Sequence, residues 1–290
     1  MTERDRGLVR LALPSKGRMA EPSVKLLHDA GIAFEPNGRT LHTRCLDLDL
    51  ELLFVRSDDI PVWTRDGGVD AGITGRNQAV EAGAELDELL ALDFGYCRLA
   101  LAVPSEHPAM RPADLTGARI ATSYEHTLAR ELDRLGIEAR ILPISGSVEL
   151  APRLHAADAV ADLVSSGETL RQNGLREIGT LLESQAVLVA RPGLDAAQRA
   201  LVDDVVLLLG SVIAARPKRY LMLNARDETL DDVLALLPSL DAPTVLPLSR
   251  PGMHAVHAVI DAEDVVRLLG PLRAAGASSL LVMPIEHLIA

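Results

Sequence analysis

Short apolar runs that alternate with helical segments constrain the fold of this chain more than any other feature. Val9–Leu13 and Val69–Ile73 are short apolar runs, and Leu48–Val55 becomes wholly apolar at its end. Between them, Pro22–Ala30 has helical periodicity and Ser57–Pro61 has the polar residues of a helix start. This alternation of strand, helix and strand predicts βαβ units and a mainly parallel sheet.

The composition fits buried parallel strands. Hydrophobic residues make up 48% of the 290 residues but aromatic residues only 2%, so the core is expected to be built from Leu, Val, Ala and Ile. The net charge of −12 argues against nucleic acid or an anionic membrane as the main partner. No apolar stretch approaches the ~20 residues that a membrane span needs.

The cysteines and the N-terminus suggest a compartment. Cys45 and Cys97 offer neither a disulfide framework nor metal-ligand spacing, and we expect them to be reduced thiols of a cytoplasmic protein. The charged segment Met1–Gly7 lacks the apolar run of a signal peptide.

Further along the chain, the Pro-rich stretch Pro104–Pro112 is predicted to mark the crossing into a second lobe. The apolar patterns there predict strands at Arg119–Thr122, Ile137–Leu142 and Ala159–Val164, and helices at Thr127–Leu135, Val148–Leu154 and Leu194–Leu209.

After Pro217 the pattern changes to β-α-β-β-α-β over about 70 residues, which is typical of a ferredoxin-like unit. The predicted strands and helices are, in order, Tyr220–Asn224, Leu230–Leu237, Ala242–Pro247, Met253–Ile260, Ala262–Ala275 and Leu280–Pro284. Such a unit is either a small-molecule sensor or a dimerisation module, and the pattern leaves both open.

The segment Asp158–Leu170 indicates function most directly, because it predicts a buried strand, a turn and a helix start. Free N–H groups at a helix start favour an anion, and a glycine such as Gly167 lets the backbone approach a ligand closely. Asp162 ends the strand, where it can accept hydrogen bonds from sugar hydroxyls. Together these features predict a ribose 5-phosphate ligand. The alternative is an ordinary N-cap followed by an acid, Glu168, in the first turn.

Cationic residues follow the predicted strands of the first half. Lys16 and Arg18 come after the first strand, Arg56 after the second and Arg76 after the third. Ligands of open α/β sheets bind at the carboxyl ends of strands, so these cations suit a pyrophosphate or triphosphate. The alternative is a set of solvated loop charges.

The run Gly146–Leu175 resembles the signature region of the ATP phosphoribosyltransferases, the enzymes of the first step of histidine biosynthesis. The order of that family continues in the blocks Leu11–Arg18, Val55–Pro61, Val69–Arg76, Phe94–Leu99 and Arg119–Thr122. Near the C-terminus, Tyr220–Leu223, Ala242–Val245 and Gly276–Ala277 resemble the regulatory domain of the long form. The resemblance covers nearly the whole chain.

This resemblance implies an α/β fold with a two-lobed catalytic part similar to periplasmic binding proteins, followed by a ferredoxin-like, ACT-like α+β regulatory domain. The first lobe would use residues 1–97 and 184–215, the second 98–183, and the regulatory domain 216–290.

The resemblance also implies a reaction in which N1 of ATP attacks C1′ of phosphoribosyl pyrophosphate, with Mg²⁺ carried largely by pyrophosphate oxygens and with no metal site made by the protein alone. It implies inhibition by histidine and homodimers that assemble into hexamers. The expected catalytic residues are Lys16, Arg56 and Asp162. The expected substrate-binding residues are Arg18, Thr74, Gly75, Arg76, Tyr124, Asp158, Ser165, Ser166, Gly167, Glu168 and Thr169. Asn224, Thr244 and Ser279 are expected to bind histidine.

Several residues depart from the family pattern. His155 stands where glycine is usual, Asn77 replaces an aspartate, and Asn224 stands where long forms often carry aspartate. The block at Tyr124 reads Tyr-Glu-His instead of Tyr-Pro-Asn. Two other functions compete with the enzyme: a solute-binding protein of the same two-lobed fold, and an amino-acid-sensing regulator without catalysis.

Overall fold

The computed structural model describes residues 8–35, 41–238 and 242–289. The N-terminal segment 1–7, on which the expectation about a signal peptide depends, lies outside the described residues. The chain divides into two compact units, and the division falls within one helix, between Val206 and Leu207.

Within the described residues the chain forms fifteen strands, which are β1 (Val9–Pro14), β2 (His42–Arg44), β3 (Leu50–Val55), β4 (Ala71–Gly75), β5 (Asp87–Ala91), β6 (Cys97–Pro104), β7 (Arg119–Thr122), β8 (Arg140–Pro143), β9 (Ala159–Val164), β10 (Leu175–Ser184), β11 (Ala186–Ala190), β12 (Lys218–Arg226), β13 (Thr244–Pro247), β14 (Met253–Asp261) and β15 (Ser278–Pro284). The α-helices of the same residues are α1 (Ala20–Asp29), α2 (Ile60–Arg65), α3 (Arg76–Glu81), α4 (Glu125–Leu135), α5 (Glu168–Gln172), α6 (Ala196–Ala215), α7 (Leu230–Ala235) and α8 (Val265–Ala274).

The first sheet has the strand order β2-β3-β1-β4-β11-β5. Strand β1 pairs in parallel with β3 and β4, so the carboxyl ends of these three strands meet at one edge. Strand β11 returns from much later in the chain and lies antiparallel between β4 and β5. The sheet is therefore mixed and not mainly parallel as predicted, because the returning strand β11 is antiparallel to both of its neighbours and β2 is antiparallel to β3.

The second sheet has the order β10-β6-β9-β7-β8, with β9 antiparallel to β6 and parallel to β7. Both of its faces are covered: Leu101 and Leu128 belong to the core on one side, and Val160 and Leu170 to a second cluster. A central strand that is buried on both sides is held firmly. The end of β9 therefore presents the residues that follow it in a fixed place.

One helix prediction in this region was wrong. The segment Val148–Leu154 forms only a 3₁₀ turn at Val148–Leu150. Pro152 cannot donate to the preceding turn, and Ser147 enters with φ of +49°, which is unsuited to a helix start.

The second compact unit contains an antiparallel sheet of order β13-β14-β12-β15. Leu221, Leu223, Val256, Ile260 and Leu272 belong to its buried core. Numbered within the unit, this is the 4-1-3-2 order of the predicted ferredoxin-like fold, read from β15. The α/β fold with an appended ferredoxin-like unit is confirmed. None of the helices among the described residues combines the length and apolar character needed to cross a membrane.

Candidate active site

The turn between β9 and α5 lies at the end of the second sheet's central strand. Gly167 has φ of +77°, which a residue with a side chain rarely adopts. The hydroxyls of Ser165, Ser166 and Thr169 are exposed around it. These residues line a cavity of about 330 Å³ together with Asp162 and Glu149. The structure therefore brings together most of the predicted phosphate-binding residues.

Two carboxylates share this cavity. Asp162 is partly buried on β9, and its Oδ1 accepts a hydrogen bond of 2.8 Å from the backbone N–H of Leu163. Burial, together with the negative charge of Glu149, raises the pKa of the Asp162 carboxyl. Sequence reasoning missed Glu149 as a site residue, although it lies in the Gly146–Leu175 run. Its placement depends on the 3₁₀ turn that replaced the predicted helix.

Asp158 is placed elsewhere. It precedes β9, about 20 Å along the strand from the turn at the rise of an extended chain. Its carboxylate accepts hydrogen bonds from the Arg119 guanidinium at 2.9 Å and from the Arg119 backbone N–H at 2.8 Å. The Arg119 side chain lowers the pKa of Asp158. The structure gives Asp158 a partner within the fold and does not bring it to the cavity.

The predicted cations of the first sheet follow the strand ends that meet at one edge. Lys16 and Arg56 line a cavity of about 650 Å³ with the apolar side chains of Leu53, Phe54 and Trp63. Arg18, in the same loop as Lys16, reaches the second sheet, where its Nη1 donates a short hydrogen bond to Ser165 Oγ. This contact joins the loop that carries Lys16 and Arg18 (the basic loop) to the turn Ser165–Thr169, the predicted phosphate turn.

Arg76 differs from these cations because it has an ionic partner. Its guanidinium donates to both carboxylate oxygens of Glu88, at 2.9 and 2.5 Å. The hydrogen bonds from Arg76 lower the pKa of Glu88. Arg76 nevertheless lines a separate cavity of about 240 Å³ with Arg98 and Ser165. A ligand can use the charge of Arg76 only if it displaces Glu88 or binds the same guanidinium together with Glu88.

Thr74 and Gly75 use their donors inside the protein. The fully buried Thr74 hydroxyl lies 3.1 Å from the Ser57 carbonyl and 3.0 Å from Gln78 Oε1. The Gly75 N–H also donates to Gln78 Oε1, at 3.0 Å. These contacts shape the loop after β4, next to Arg76, and leave neither donor free for a ligand.

Tyr124 lies where the two lobes of the first compact unit approach each other. Burial raises the pKa of its phenol, and the charges of Asp162 and Asp58 raise it further. The nearby Asn77 side chain opposes that shift of the Tyr124 pKa. The residue that departs from the family pattern, Asn77, therefore faces the same cleft as Tyr124.

A carboxylate also joins the two lobes. Glu81 at the end of α3 accepts hydrogen bonds from the backbone N–H groups of His126 and Thr127 at the start of α4, at 3.1 and 2.9 Å. The Thr127 hydroxyl donates to the same carboxylate at 2.7 Å. Glu81 thus caps a helix of the other lobe, which favours a closed cleft.

The three residues predicted to bind histidine lie on the third sheet. Ser278, the neighbour of Ser279, pairs with Asn224 where a bulge interrupts the β12–β15 ladder, and Ser279 has φ of +52°. Thr244 is on β13, two strands away from β12 and level with Met222. Asn224 and Ser279 are neighbours, whereas Thr244 is about 10 Å away across the sheet.

The resemblance implies a Mg²⁺ ion that is bound largely by oxygen atoms of the substrate pyrophosphate. Among the residues described, no group of three or more His, Cys, Asp and Glu side chains is arranged to hold a metal ion. Mg²⁺ usually keeps several waters and binds through one or two carboxylates plus substrate phosphates. Glu149 and Asp162 are the two carboxylates that line the cavity beside the Ser165–Thr169 turn, and two carboxylates suit an ion that arrives with a phosphate ligand.

The fold is that of an α/β protein with two sheets in its first compact unit and a ferredoxin-like antiparallel sheet in its second. The ATP phosphoribosyltransferase family model matches residues 56–211, and the model of the C-terminal domain of that family matches residues 215–287. The chain belongs to the ATP phosphoribosyltransferase family, and it is a transferase of histidine biosynthesis.

Individual relatives agree with this assignment. An ATP phosphoribosyltransferase from Cytophaga hutchinsonii is 42% identical over 282 residues, which cover 97% of this chain and 99% of the relative. One from Haloarcula marismortui is 41% identical over 97% of this chain and all of the relative. The solved ATP phosphoribosyl transferase (HisG:HisZ) complex from Thermotoga maritima contains a chain that is 27% identical, with a TM-score of 0.60. The match covers 70% of this chain and 96% of that one.

Proposed function

We propose that the turn after β9 holds the 5-phosphate of phosphoribosyl pyrophosphate and that Asp162 positions the ribose hydroxyls. The observation that carries the proposal is the convergence of Gly167, three exposed hydroxyls and Asp162 on one cavity. The contact from Arg18 to Ser165 supports a site that closes between the turn and the basic loop. Lys16, Arg18, Arg56 and Arg76 then offset the charge of the pyrophosphate and of the ATP triphosphate.

The proposed reaction is a displacement at C1′ of the ribose. The lone pair of N1 of the adenine forms the new N–C bond, the C1′–O bond breaks, and its electron pair leaves on pyrophosphate. The protein orients the two substrates and stabilises charge that develops on the leaving group. Asp162 and Glu149 face the ribose side, while Lys16 and Arg56 face the departing phosphates. Tyr124 lines the cleft between them, and Thr74 and Gly75 support the loop that carries Arg76.

Mg²⁺ belongs to the proposal as a partner of the pyrophosphate, whose charge it neutralises when bound. Asp162 and Glu149 are the side chains that would hold it on the protein side, and phosphate oxygens and water would supply its other ligands.

The C-terminal unit and the assembly complete the proposal. Histidine inhibits the enzyme by binding near Asn224, Thr244 and Ser279, and homodimers assemble into hexamers in the cytoplasm. The two lobes are residues 1–97 with 184–215 and residues 98–183, followed by the regulatory domain 216–290. The bulge beside Asn224 supports a ligand site there, because a bulge leaves backbone groups outside the ladder.

The test is an assay of pyrophosphate release, or of the rise in ultraviolet absorbance, when ATP, phosphoribosyl pyrophosphate and Mg²⁺ are mixed with the enzyme. Thr169→Val removes one exposed hydroxyl of the turn, and Thr180→Val removes an exposed hydroxyl of β10 as a matched control. We expect only the first to raise the KM for phosphoribosyl pyrophosphate. Equal KM values in both variants would remove the turn from the site.

A further inference from the structure

We infer that the Arg98–Glu177 ion pair is a positioning element that fixes the backbone of the Ser165–Gly167 turn for phosphate. The inference rests on the proposed function, because it assumes that this turn binds the 5-phosphate. Neither residue belongs to the turn. Arg98 is near the start of β6 and Glu177 is near the start of β10, 79 residues later.

The pair is bidentate. The Arg98 guanidinium donates from Nη2 to Glu177 Oε1 at 2.6 Å and from Nε to Oε2 at 3.0 Å. The two side chains are 32% and 29% exposed, so the pair stays partly accessible to solvent. Two parallel hydrogen bonds fix the orientation of both groups, which a single contact between charges does not.

Each partner also touches the turn. Arg98 Nη1 donates to the backbone carbonyl of Ser165 at 3.4 Å. A Cβ atom at Gly167 would lie only 3.3 Å from Glu177 Oε1, so the carboxylate rests against the backbone of that glycine. The pair therefore contacts both ends of the turn on which the phosphate-binding N–H groups depend.

The turn has few other constraints. The helix that follows it, α5, has only five residues, and the Ser166 hydroxyl accepts a long hydrogen bond of 3.4 Å from the Glu168 N–H. Arg18 donates a hydrogen bond to the Ser165 side chain from the other lobe, but this bond forms only when the cleft is closed. Support that persists in an open cleft must come from the second lobe itself, and Arg98 and Glu177 both belong to its sheet.

Because the two partners carry opposite charges, replacing one or the other should affect phosphate binding differently. Arg98→Gln leaves the Glu177 carboxylate unneutralised against Gly167, where it repels an incoming phosphate. Glu177→Gln leaves the guanidinium unpaired, which attracts phosphate while the turn loses its support. We therefore expect the arginine variant to bind phosphate less well than the glutamate variant. A direct phosphate ligand would behave differently, since freeing the guanidinium in Glu177→Gln would then tighten binding.

The experiment measures inhibition by ribose 5-phosphate and by pyrophosphate in the full-length enzyme, together with the KM values of both substrates. We expect Arg98→Gln to raise the KM for phosphoribosyl pyrophosphate and the Ki of ribose 5-phosphate by about tenfold. We expect about threefold for Glu177→Gln, since the half-exposed pair is partly screened. The kcat, the KM for ATP and the Ki of pyrophosphate should stay within about twofold, because a positioning role acts on the turn alone.

Arg111→Gln, which breaks the exposed Arg111–Asp114 pair of the same lobe, is the matched control and should leave all constants unchanged. Arg98→Lys should restore part of the lost affinity, because lysine keeps the charge but not the fork geometry. If Arg98→Gln does not fold, the isosteric Glu177→Gln decides alone.

Three outcomes would overturn the inference. A rise in the Ki of pyrophosphate with the Ki of ribose 5-phosphate unchanged would make Arg98 a ligand of the leaving group, in the cavity that it shares with Arg76. A fall in kcat without a change in either Ki would indicate a different role. Unchanged constants in both variants would mean that the pair does not position the turn. In each case Thr169→Val separates this failure from that of the proposed function, because it still raises the KM if the turn binds phosphate.

Discussion

The proposed phosphate turn, Ser165–Thr169, and the loops that carry Lys16 and Arg56 offer an anion different kinds of groups. The turn uses backbone N–H groups and hydroxyls around a left-handed glycine, and the charged pair behind it is internally neutral. The first lobe presents cationic side chains instead, and no ion pair is found for Lys16 or Arg56 in the part of the chain that the structure describes. Backbone N–H groups are held in place, so they discriminate between ligands by geometry. Long cationic side chains discriminate mainly by the charge of the ligand. The comparison predicts that the two regions differ in tolerance to mutation and in response to salt.

The largest effect is expected from Gly167→Val. A β-branched residue is strained at φ of +77°, and its Cβ would press on the Glu177 carboxylate. We expect the affinity for phosphoribosyl pyrophosphate, measured by calorimetric titration, to fall by about 100-fold or more, the loss of two or more charge-assisted hydrogen bonds. Gly136→Val is the control, since Gly136 has φ of +67° at the end of α4, with no neighbour within 4 Å of its Cβ position. Equal affinity losses in the two variants would reduce the effect to general strain.

The next largest effect is expected from Asp162→Asn. This substitution keeps the shape of the side chain and removes its negative charge, so it tests whether the site in the second lobe depends on that charge. We expect kcat/KM to fall about 10- to 100-fold, because hydrogen bonds to charged groups contribute about 1.5–3 kcal/mol. The amide keeps the acceptor for the Leu163 N–H. A wild-type level of activity would show that the carboxylate charge has no part in the reaction.

Stability should change in the opposite direction. Burial and Glu149 raise the pKa of Asp162, so its ionised form costs stability at pH values above that pKa. The cost disappears as the pH falls through the raised pKa, where the folded state takes up the proton. The Tm of Asp162→Asn should therefore equal or exceed that of the wild type at neutral pH, and the difference should shrink on acidification. A lower Tm at neutral pH would make Asp162 a structural residue.

The prediction for the basic loops is a smaller effect that depends on salt. Lys16→Met should raise the KM for phosphoribosyl pyrophosphate about fivefold at low ionic strength, and the effect should weaken as salt screens the charge. Arg76→Met should change the KM less, because Glu88 already offsets that charge. The KM measured at two salt concentrations for each variant tests this. A loss in Lys16→Met that is independent of salt would mean that Lys16 acts through geometry, as the turn does.

The smallest effect is expected in the C-terminal unit. Asn224→Asp introduces a carboxylate beside the β12–β15 bulge, where it would meet the ammonium group of histidine. We expect the Ki for histidine to fall about threefold, as an exposed ion pair contributes about 0.2–1 kcal/mol. The activity without histidine should stay unchanged. An unaltered or higher Ki would move the histidine site away from Asn224.

The sequence predicted those strands that are mostly apolar and buried, and it missed strands that are partly exposed or irregular. Strand β9 lies at its predicted bounds, Ala159–Val164, because most of its residues are apolar and buried. Strand β10 was missed because its burial repeats every third residue, with register shifts near Gly179 and Leu182. Strand β5 was missed because it is a mostly exposed edge strand without alternation.

For the site, distance along the sequence decides what could be predicted. Turn residues that are close in sequence could be predicted together, from Asp162 to Thr169. Partners that tertiary packing brings together could not, as with Arg119 beside Asp158 or Glu149 beside Asp162. The supporting pair of Arg98 and Glu177 is hidden for the same reason, since each residue has its own strand and neither carries a phosphate-binding signal.

The position of Trp63 gives the first lobe a fluorescent reporter. It is the one tryptophan of the sequence, it is 44% exposed, and it lines the cavity that contains Lys16 and Arg56. Indole emission responds to stacking and to the polarity of its surroundings, and the phosphate turn contains no aromatic residue. A change in Trp63 fluorescence therefore reports a ligand that enters the cavity of Lys16 and Arg56. Binding at the turn alone should leave this fluorescence unchanged. Rapid-mixing traces of the unlabelled enzyme can then time the filling of the basic cavity separately from turnover.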